Sequence, residues 1–146
     1  MITIDVFTDG ACSGNPGVGG WGVVIIIGKK IIEIHGGAKE TTNNQMELTA
    51  AIEGLKYFNK QETITLYTDS KYVKDGVTAW IKKWKINGWK TANKKAVKNK
   101  ELWQSLDQQM NRHKVVFKWI KGHAGAKFNE QADALARKYA DDYTGR

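Results

Sequence analysis

Phe7-Thr8-Asp9-Gly10 and Tyr67-Thr68-Asp69-Ser70 each place an aspartate where an apolar strand gives way to a small residue. In open α/β sheets, ligands sit outside the carboxyl ends of the strands. If these two strands are parallel neighbours, both carboxylates emerge on one rim. Aspartate also favours strand ends and turns for purely local reasons, so the matched pair, in a basic protein, is the informative observation. Two further acids belong to helical patterns. Glu47 flanks the apolar stripe of its helix and shares a face with Ala51 and Gly54; Asp133 flanks the stripe of the last helix and shares a face with Asn129 at i, i+4. Singly, an acid in a first helical turn needs only the helix dipole to explain it. Four carboxylates on separate elements against one sheet make a hard-oxygen site, suited to Mg²⁺, which is usually held by a few carboxylates and substrate phosphate. Two such ions about 4 Å apart can activate water on one side of a phosphodiester and stabilise the leaving oxygen on the other.

The elements that must position these acids are legible from period and punctuation. Ile2, Ile4 and Val6 alternate with Thr3, Asp5 and Phe7 in a strand ending at Asp9. The Gly-, Ser- and Asn-rich stretch from Gly10 to Gly20, which holds the single proline, is expected as a loop. Strands at Gly22–Ile27 and Lys30–His35 form a hairpin about Gly28-Lys29, and Thr42-Asn43-Asn44-Gln45 has the spacing of a capping box. The helix after it has its stripe at Leu48, Ala51, Ile52, Leu55 and Phe58. A strand is expected at Glu62–Asp69, then helices at Ser70–Val77 and Thr78–Lys85 divided by Gly76. A lysine-rich loop from Gly88 to about Lys100 leads to a helix at Glu101–Met110, a strand at Lys114–Ile120 and a helix at Asn129–Ala140. This order implies an α/β fold: a sheet with a hairpin-built antiparallel part and covering helices.

A length of 146 residues with 41% hydrophobic residues supports one globular domain, taken as 1–146 with a basic protrusion at about 80–100. The longest apolar run, Val23–Ile27, is too short to span a bilayer. The first residues lack a signal-peptide pattern, and one cysteine excludes an internal disulfide or a cysteine-based zinc cluster. A cytoplasmic protein is the expectation. The net charge of +8 is local: Lys71 to Lys100 contains ten lysines and one acid, so the rest of the chain is close to neutral. A basic stripe on a neutral body is the footprint of a polyanion partner.

Thr8-Asp9-Gly10-Ala11-Cys12-Ser13-Gly14-Asn15-Pro16-Gly17, Thr42-Asn43-Asn44-Gln45-Met46-Glu47, Thr68-Asp69-Ser70 and Lys121-Gly122-His123-Ala124-Gly125, followed by Asn129-Glu130 and Asp133, closely resemble bacterial type 1 ribonuclease H in order and spacing over almost the whole chain. The resemblance implies a ribonuclease H-like fold, with a five-stranded mixed sheet flanked by helices. It implies divalent-metal-dependent endonucleolytic cleavage of the RNA strand of an RNA/DNA hybrid, leaving 5′-phosphate and 3′-hydroxyl ends. Asp9, Glu47, Asp69 and Asp133 match the catalytic acids that bind the metal, Mg²⁺ or alternatively Mn²⁺. His123 matches a histidine assisting proton transfer or product release, a role its ordinary pKa of roughly 6.5 suits.

Asn15, Thr42, Asn43 and Asn44 match positions contacting the hybrid, with chemistry able to bond 2′-hydroxyls and minor-groove edges. Cys12 sits among them as a packed or substrate-adjacent thiol; paired with His123 it could also be read as a nucleophile, but no third orienting residue is evident. Asn129 and Lys71 complete this set, Lys71 standing where many relatives carry a neutral amide. Trp80, Lys82, Lys83, Trp84, Lys85 and Lys90 match the basic protrusion. Its tryptophans could stack on bases, though they are expected chiefly to pack the protrusion together while its lysines reach the backbone. A monomer needing no protein partner or membrane is expected. The competing readings are a different metal nuclease or recombination nuclease without hybrid specificity, and a non-catalytic duplex-binding module. An acidic patch facing phosphates weighs against the latter.

Overall fold

The computed structural model describes residues 3–121 and 127–144. Strand β1 (Ile4–Gly14) and strand β2 (Gly17–Ile27) form a long antiparallel hairpin, closed by Asn15-Pro16 with a cis peptide bond. Strand β3 (Lys30–Thr41) follows across Gly28-Lys29, where Gly28 has φ 59°. Strand β4 (Thr63–Thr68) lies parallel to β1, and β5 (Lys114–Trp119) parallel to β4. The sheet is therefore five-stranded and mixed, in the order β3-β2-β1-β4-β5. Helix α1 (Asn43–Lys56) makes the crossover from β3 to β4; α2 (Lys71–Asp75), α3 (Ile81–Asn87) and α4 (Lys100–Arg112) lie between β4 and β5; α5 (Lys127–Thr144) follows β5.

Alternation assigns the two faces. Ile4 and Val6 of β1, Val23 and Ile25 of β2, and Ile64 and Leu66 of β4 pack with Leu48, Ala51, Ile52 and Leu55 of α1 in one core, joined by Trp103 and Leu106 of α4. The expected stripe of α1 is buried throughout. Its start is the expected capping box: the Thr42 hydroxyl accepts from the Gln45 amide, and the Gln45 side chain accepts from the Thr42 amide. On the opposite face α5 lies directly on β2, where a Cβ at Gly22 would come 2.4 Å from the Ala132 carbonyl oxygen.

Three expectations need correction. The stretch from Gly10 to Gly20 is not a loop. β1 runs on to Gly14 and pairs residue by residue with β2 from Gly17. Glycine weakens a strand by its entropy, but here the missing side chains are what allow two helices to reach the sheet. β3 extends past His35 to Thr41, directly before the cap of α1. Gly76 does not break the helical stretch, which continues from α2 through a π-helical turn at Gly76–Trp80 into α3. A Cβ at Gly76 would lie 1.9 Å from the Trp103 ring, so the glycine makes room for a fully buried tryptophan rather than ending a helix.

Candidate active site

Asp9 lies in β1 opposite Gly22 of β2, and therefore on the α5 face, one alternation beyond Phe7. Asp69 follows the last residue of β4, which is parallel to β1 as the site argument requires. Its main chain is tied down from β5: the Trp119 indole donates to the Asp69 carbonyl at 3.1 Å, and the Ile120 amide to the Thr68 carbonyl at 2.9 Å. Ser70 then caps α2 by accepting from the Val73 amide. Glu47 reaches the same rim from α1. The helix can come this close because residue 10 is glycine: a Cβ there would lie 2.4 Å from the Glu47 nitrogen.

Asp9, Glu47 and Asp69 each offer a carboxylate oxygen within 4.8 Å of the others. Asp9 and Glu47 are only 4% and 6% exposed. Burial, then the Glu47 charge, a hydrogen bond with Asp133 and the Asp69 charge, push the Asp9 carboxyl up to about 10. Burial first, then the Asp69 charge, holds the Glu47 carboxyl well above its ordinary range, against the lowering effect of a hydrogen bond from the Gly10 backbone. Glu47 Oε1 and Asp69 Oδ1 are buried without a hydrogen-bond partner. Buried acceptors of this kind are seldom left orphaned. A cluster of hard oxygens, mutually repelling and short of donors, fits a divalent cation.

Asp133 stands at the margin of the cluster, hydrogen-bonded to Asp9 and ion-paired to Arg137 one turn along α5 at 3.0 Å. Arg137 was not among the candidates; its i, i+4 spacing from Asp133 was the available signal. Asn129, on the same helix, is 4% exposed and its Oδ1 has no partner. His123 lies outside the described residues.

Several candidate hybrid contacts are tied to one another where the β1–β2 hairpin meets the start of α1. The Asn15 side chain accepts from the Asn43 amide at 3.2 Å, holding the β1–β2 turn against the start of α1, where Asn43 and Asn44 are exposed. The Cys12 thiol donates to the Thr41 carbonyl at 3.3 Å and the Gly17 carbonyl at 3.6 Å. Burial raises its pKa, the opposite of what activation as a nucleophile requires. The Lys71 ammonium stands 5.7 Å and the Lys74 ammonium 5.3 Å from the centre of the exposed Trp119 ring.

Trp80 and Trp84 belong to a packed cluster: Trp84 has ring centres 5.9 Å away at Trp80, 5.9 Å at Trp89 and 5.5 Å at Trp103. These half-buried rings pack against one another, as expected of residues that hold the basic stretch together. Around them Lys82, Lys83 and Lys90 are exposed, whereas Lys85 pairs with Asp107 of α4 at 3.5 Å.

Residues 2–141 match the family model described as RNase H. A ribonuclease H of Hyphomonas neptunium (strain ATCC 15444) is 56% identical over 143 residues, covering 98% of this chain and 95% of that protein. Among solved structures, LC9-RNase H1, a type 1 RNase H with the type 2 active-site motif, superposes with a TM-score of 0.86 at 33% identity, covering 97% of this chain and 73% of that one. LC11-RNase H1, solved in complex with an RNA/DNA hybrid, shares the fold with a TM-score of 0.76 at 24% identity, covering 97% of this chain and 99% of that one.

Proposed function

The chain belongs to the bacterial type 1 ribonuclease H family of phosphodiester hydrolases, and from that premise we propose that it cuts the RNA strand of RNA/DNA hybrids with a divalent metal, leaving 5′-phosphate and 3′-hydroxyl ends. The observation that carries this reading is the meeting of Asp9, Glu47 and Asp69, from three separate elements, with two of their oxygens buried and unpartnered. Asp9, Glu47, Asp69 and Asp133 would hold Mg²⁺, or alternatively Mn²⁺. When bound, a hard divalent cation supplies an acidified water and neutralises charge developing on the scissile phosphate.

The remaining work falls to the chain's own groups. Lys82, Lys83, Lys85 and Lys90 draw the duplex in through its phosphates. Lys71 does the same beside Asp69. Asn15, Thr42, Asn43 and Asn44, with Cys12 and Asn129 next to them, read the groove; the 2′-hydroxyl distinguishes the strand to be cut. Trp80 and Trp84 hold the lysines in place. His123 would assist proton transfer or product release. Residues 1–146 would act as one catalytic domain with the stretch at about 80–100 as its basic protrusion. That domain would work as a cytoplasmic monomer without an obligate protein or membrane partner. Among the described residues no helix is long and apolar enough to cross a membrane.

Incubation with labelled RNA/DNA hybrid, RNA/RNA, DNA/DNA and single strands, each with Mg²⁺, Mn²⁺ or chelator, tests the reading. The expected result is cutting of the hybrid's RNA strand alone, dependent on metal, with product RNA that ligase can join only through its 5′-phosphate. Comparable cutting of DNA duplex would point to a nuclease without hybrid specificity. Tight hybrid binding without any cleavage would point to a binding module.

A further inference from the structure

Asn99 is the residue before α4, the position where an asparagine side chain ordinarily caps a helix. Here it makes no cap: its backbone is left-handed, with φ 60°, and its side chain is turned elsewhere. The Asn99 amide nitrogen donates to the Tyr72 hydroxyl at 3.1 Å, and its carbonyl oxygen accepts from the Gln45 side-chain nitrogen at 3.1 Å. The other end of the Gln45 side chain accepts from the Thr42 amide at 3.2 Å and the Thr41 hydroxyl at 3.0 Å. The buried Trp103 indole closes the chain by donating to the same Tyr72 hydroxyl at 3.1 Å.

The relay joins three regions that the sequence separates widely, at residues 41–45, 72 and 99–103. Thr41 and Thr42 mark the entry to α1, six and five residues before Glu47 and directly before Asn43 and Asn44. Asn99 is the root of the lysine-rich stretch, whose Val97 amide is bonded back to the Trp89 carbonyl. Tyr72 lies in the first turn of α2, three residues after Asp69. Trp103 anchors α4 in the core. A local fold has no need of this wiring, and an asparagine that forgoes its cap and adopts a left-handed backbone is a cost the surroundings must impose.

We propose that Gln45, Asn99 and Tyr72 are positioning residues, a side-chain relay that keeps the lysine-rich stretch in register with the carboxylate rim so that a duplex held by the lysines is presented to the acids. This rests on the hybrid-cleaving reading above, and it adds how grip and cutting are linked. A surface that holds a polyanion aids the reaction only if it also fixes the scissile bond, since a misplacement of about 1 Å is already expensive.

The test is a set of coupled variants. Asn99→Gly keeps the left-handed backbone and deletes only the amide; Tyr72→Phe keeps the ring and removes the shared acceptor. Each is combined with Lys82→Gln and Lys83→Gln, and kcat/KM for hybrid cleavage is measured. In the intact protein the lysine pair lowers kcat/KM. In either relay variant that penalty shrinks by about threefold or more, the mark of coupled sites. The Thr42 amide proton, which Tyr72 does not touch, also shifts in the NMR spectrum of Tyr72→Phe. A lysine penalty equal in every background, with only a lower Tm, would overturn the proposal, because a purely structural network lowers stability without coupling. If wild type does not cleave hybrid, the functional reading fails; the Thr42 amide then decides the relay, and an unmoved resonance overturns it.

Discussion

At Asp9, burial and charge push in one direction. The carboxyl lies up near 10 because it is shut away from water and faces Glu47, Asp133 and Asp69. The native metal-free protein therefore keeps a proton that the unfolded chain gives up above its ordinary value of 3.8. Stability from this group is full below that value and is lost as pH rises toward about 10. Asp9→Asn is neutral in the folded and the unfolded chain alike, so it removes this titration. We expect it to abolish cleavage while leaving the protein in chelator at least as stable as wild type at pH 7, with a gain of about 1 kcal/mol or more, or roughly 2–4 °C in Tm. A clearly lower Tm in chelator would make Asp9 a structural residue.

His113 has the opposite sign. Its Nδ1 accepts from the Glu62 amide at 3.0 Å and its Nε2 faces the Leu55 carbonyl at 3.0 Å, so the neutral ring satisfies both contacts. Burial lowers its pKa below the ordinary 6.5. The stability it contributes is present above pH 6.5 and is lost as pH falls through the depressed native value. The expected result is a native His113 pKa below 6.5 by NMR. Urea midpoints should also fall with acidity more steeply in wild type than in His113→Asn; equal slopes would remove His113 from the acid response.

Among the elements, α1 was the most legible. Its stripe, its capping box and the flank position of Glu47 all follow from a 3.6-residue period and one Thr-x-x-Gln spacing. The two strand-end aspartates were legible for a similar reason, since strand, carboxylate and small residue lie side by side in the chain. What failed was the reading of glycine. Gly10, Gly20 and Gly76 look like punctuation in a sequence, yet each marks a close approach by something distant: Glu47, Ala136 and Trp103. The relay escaped for the same reason, because Gln45 already had a local role in the cap and its second partner, Asn99, lies on a different element. Gly22→Ala tests the glycine argument. A methyl 2.4 Å from the Ala132 carbonyl must push α5 off the sheet, at a cost of about 1–3 kcal/mol. Because Gly22 is also the register partner of Asp9, the same variant should weaken the Asp9–Asp133 contact and lower activity more than stability alone would. A change of less than about 0.5 kcal/mol in urea unfolding would show that α5 shifts freely.

Over the whole molecule, charge and chemistry are held in different parts. The exposed Lys82, Lys83 and Lys90 lie on a stretch built around its own tryptophans, and the carboxylates lie on the sheet and on α1 and α5. Lys85 is better left in place, since it pairs with Asp107. Changing the three exposed lysines to glutamine should raise KM with kcat altered much less, and should flatten the salt dependence by up to about 0.9 in log–log slope per lost phosphate contact for B-form duplex. Steady-state kinetics over a range of salt checks both. A loss of kcat with KM and slope unchanged would place the lysines in the cutting centre.

The parallel pairing of β1 with β4 has a consequence in time as well as in space. Asp9 and Asp69 meet at the ends of neighbouring strands but are sixty residues apart in the chain. During synthesis the β1–β2–β3 hairpins can close from local contacts as they emerge, while Asp9 waits for β4 to be made. Asp133 comes later still, on the last helix. A growing chain thus lacks its full set of four acids until α5 has been translated. The completion of the fold itself is the event that arms the nuclease.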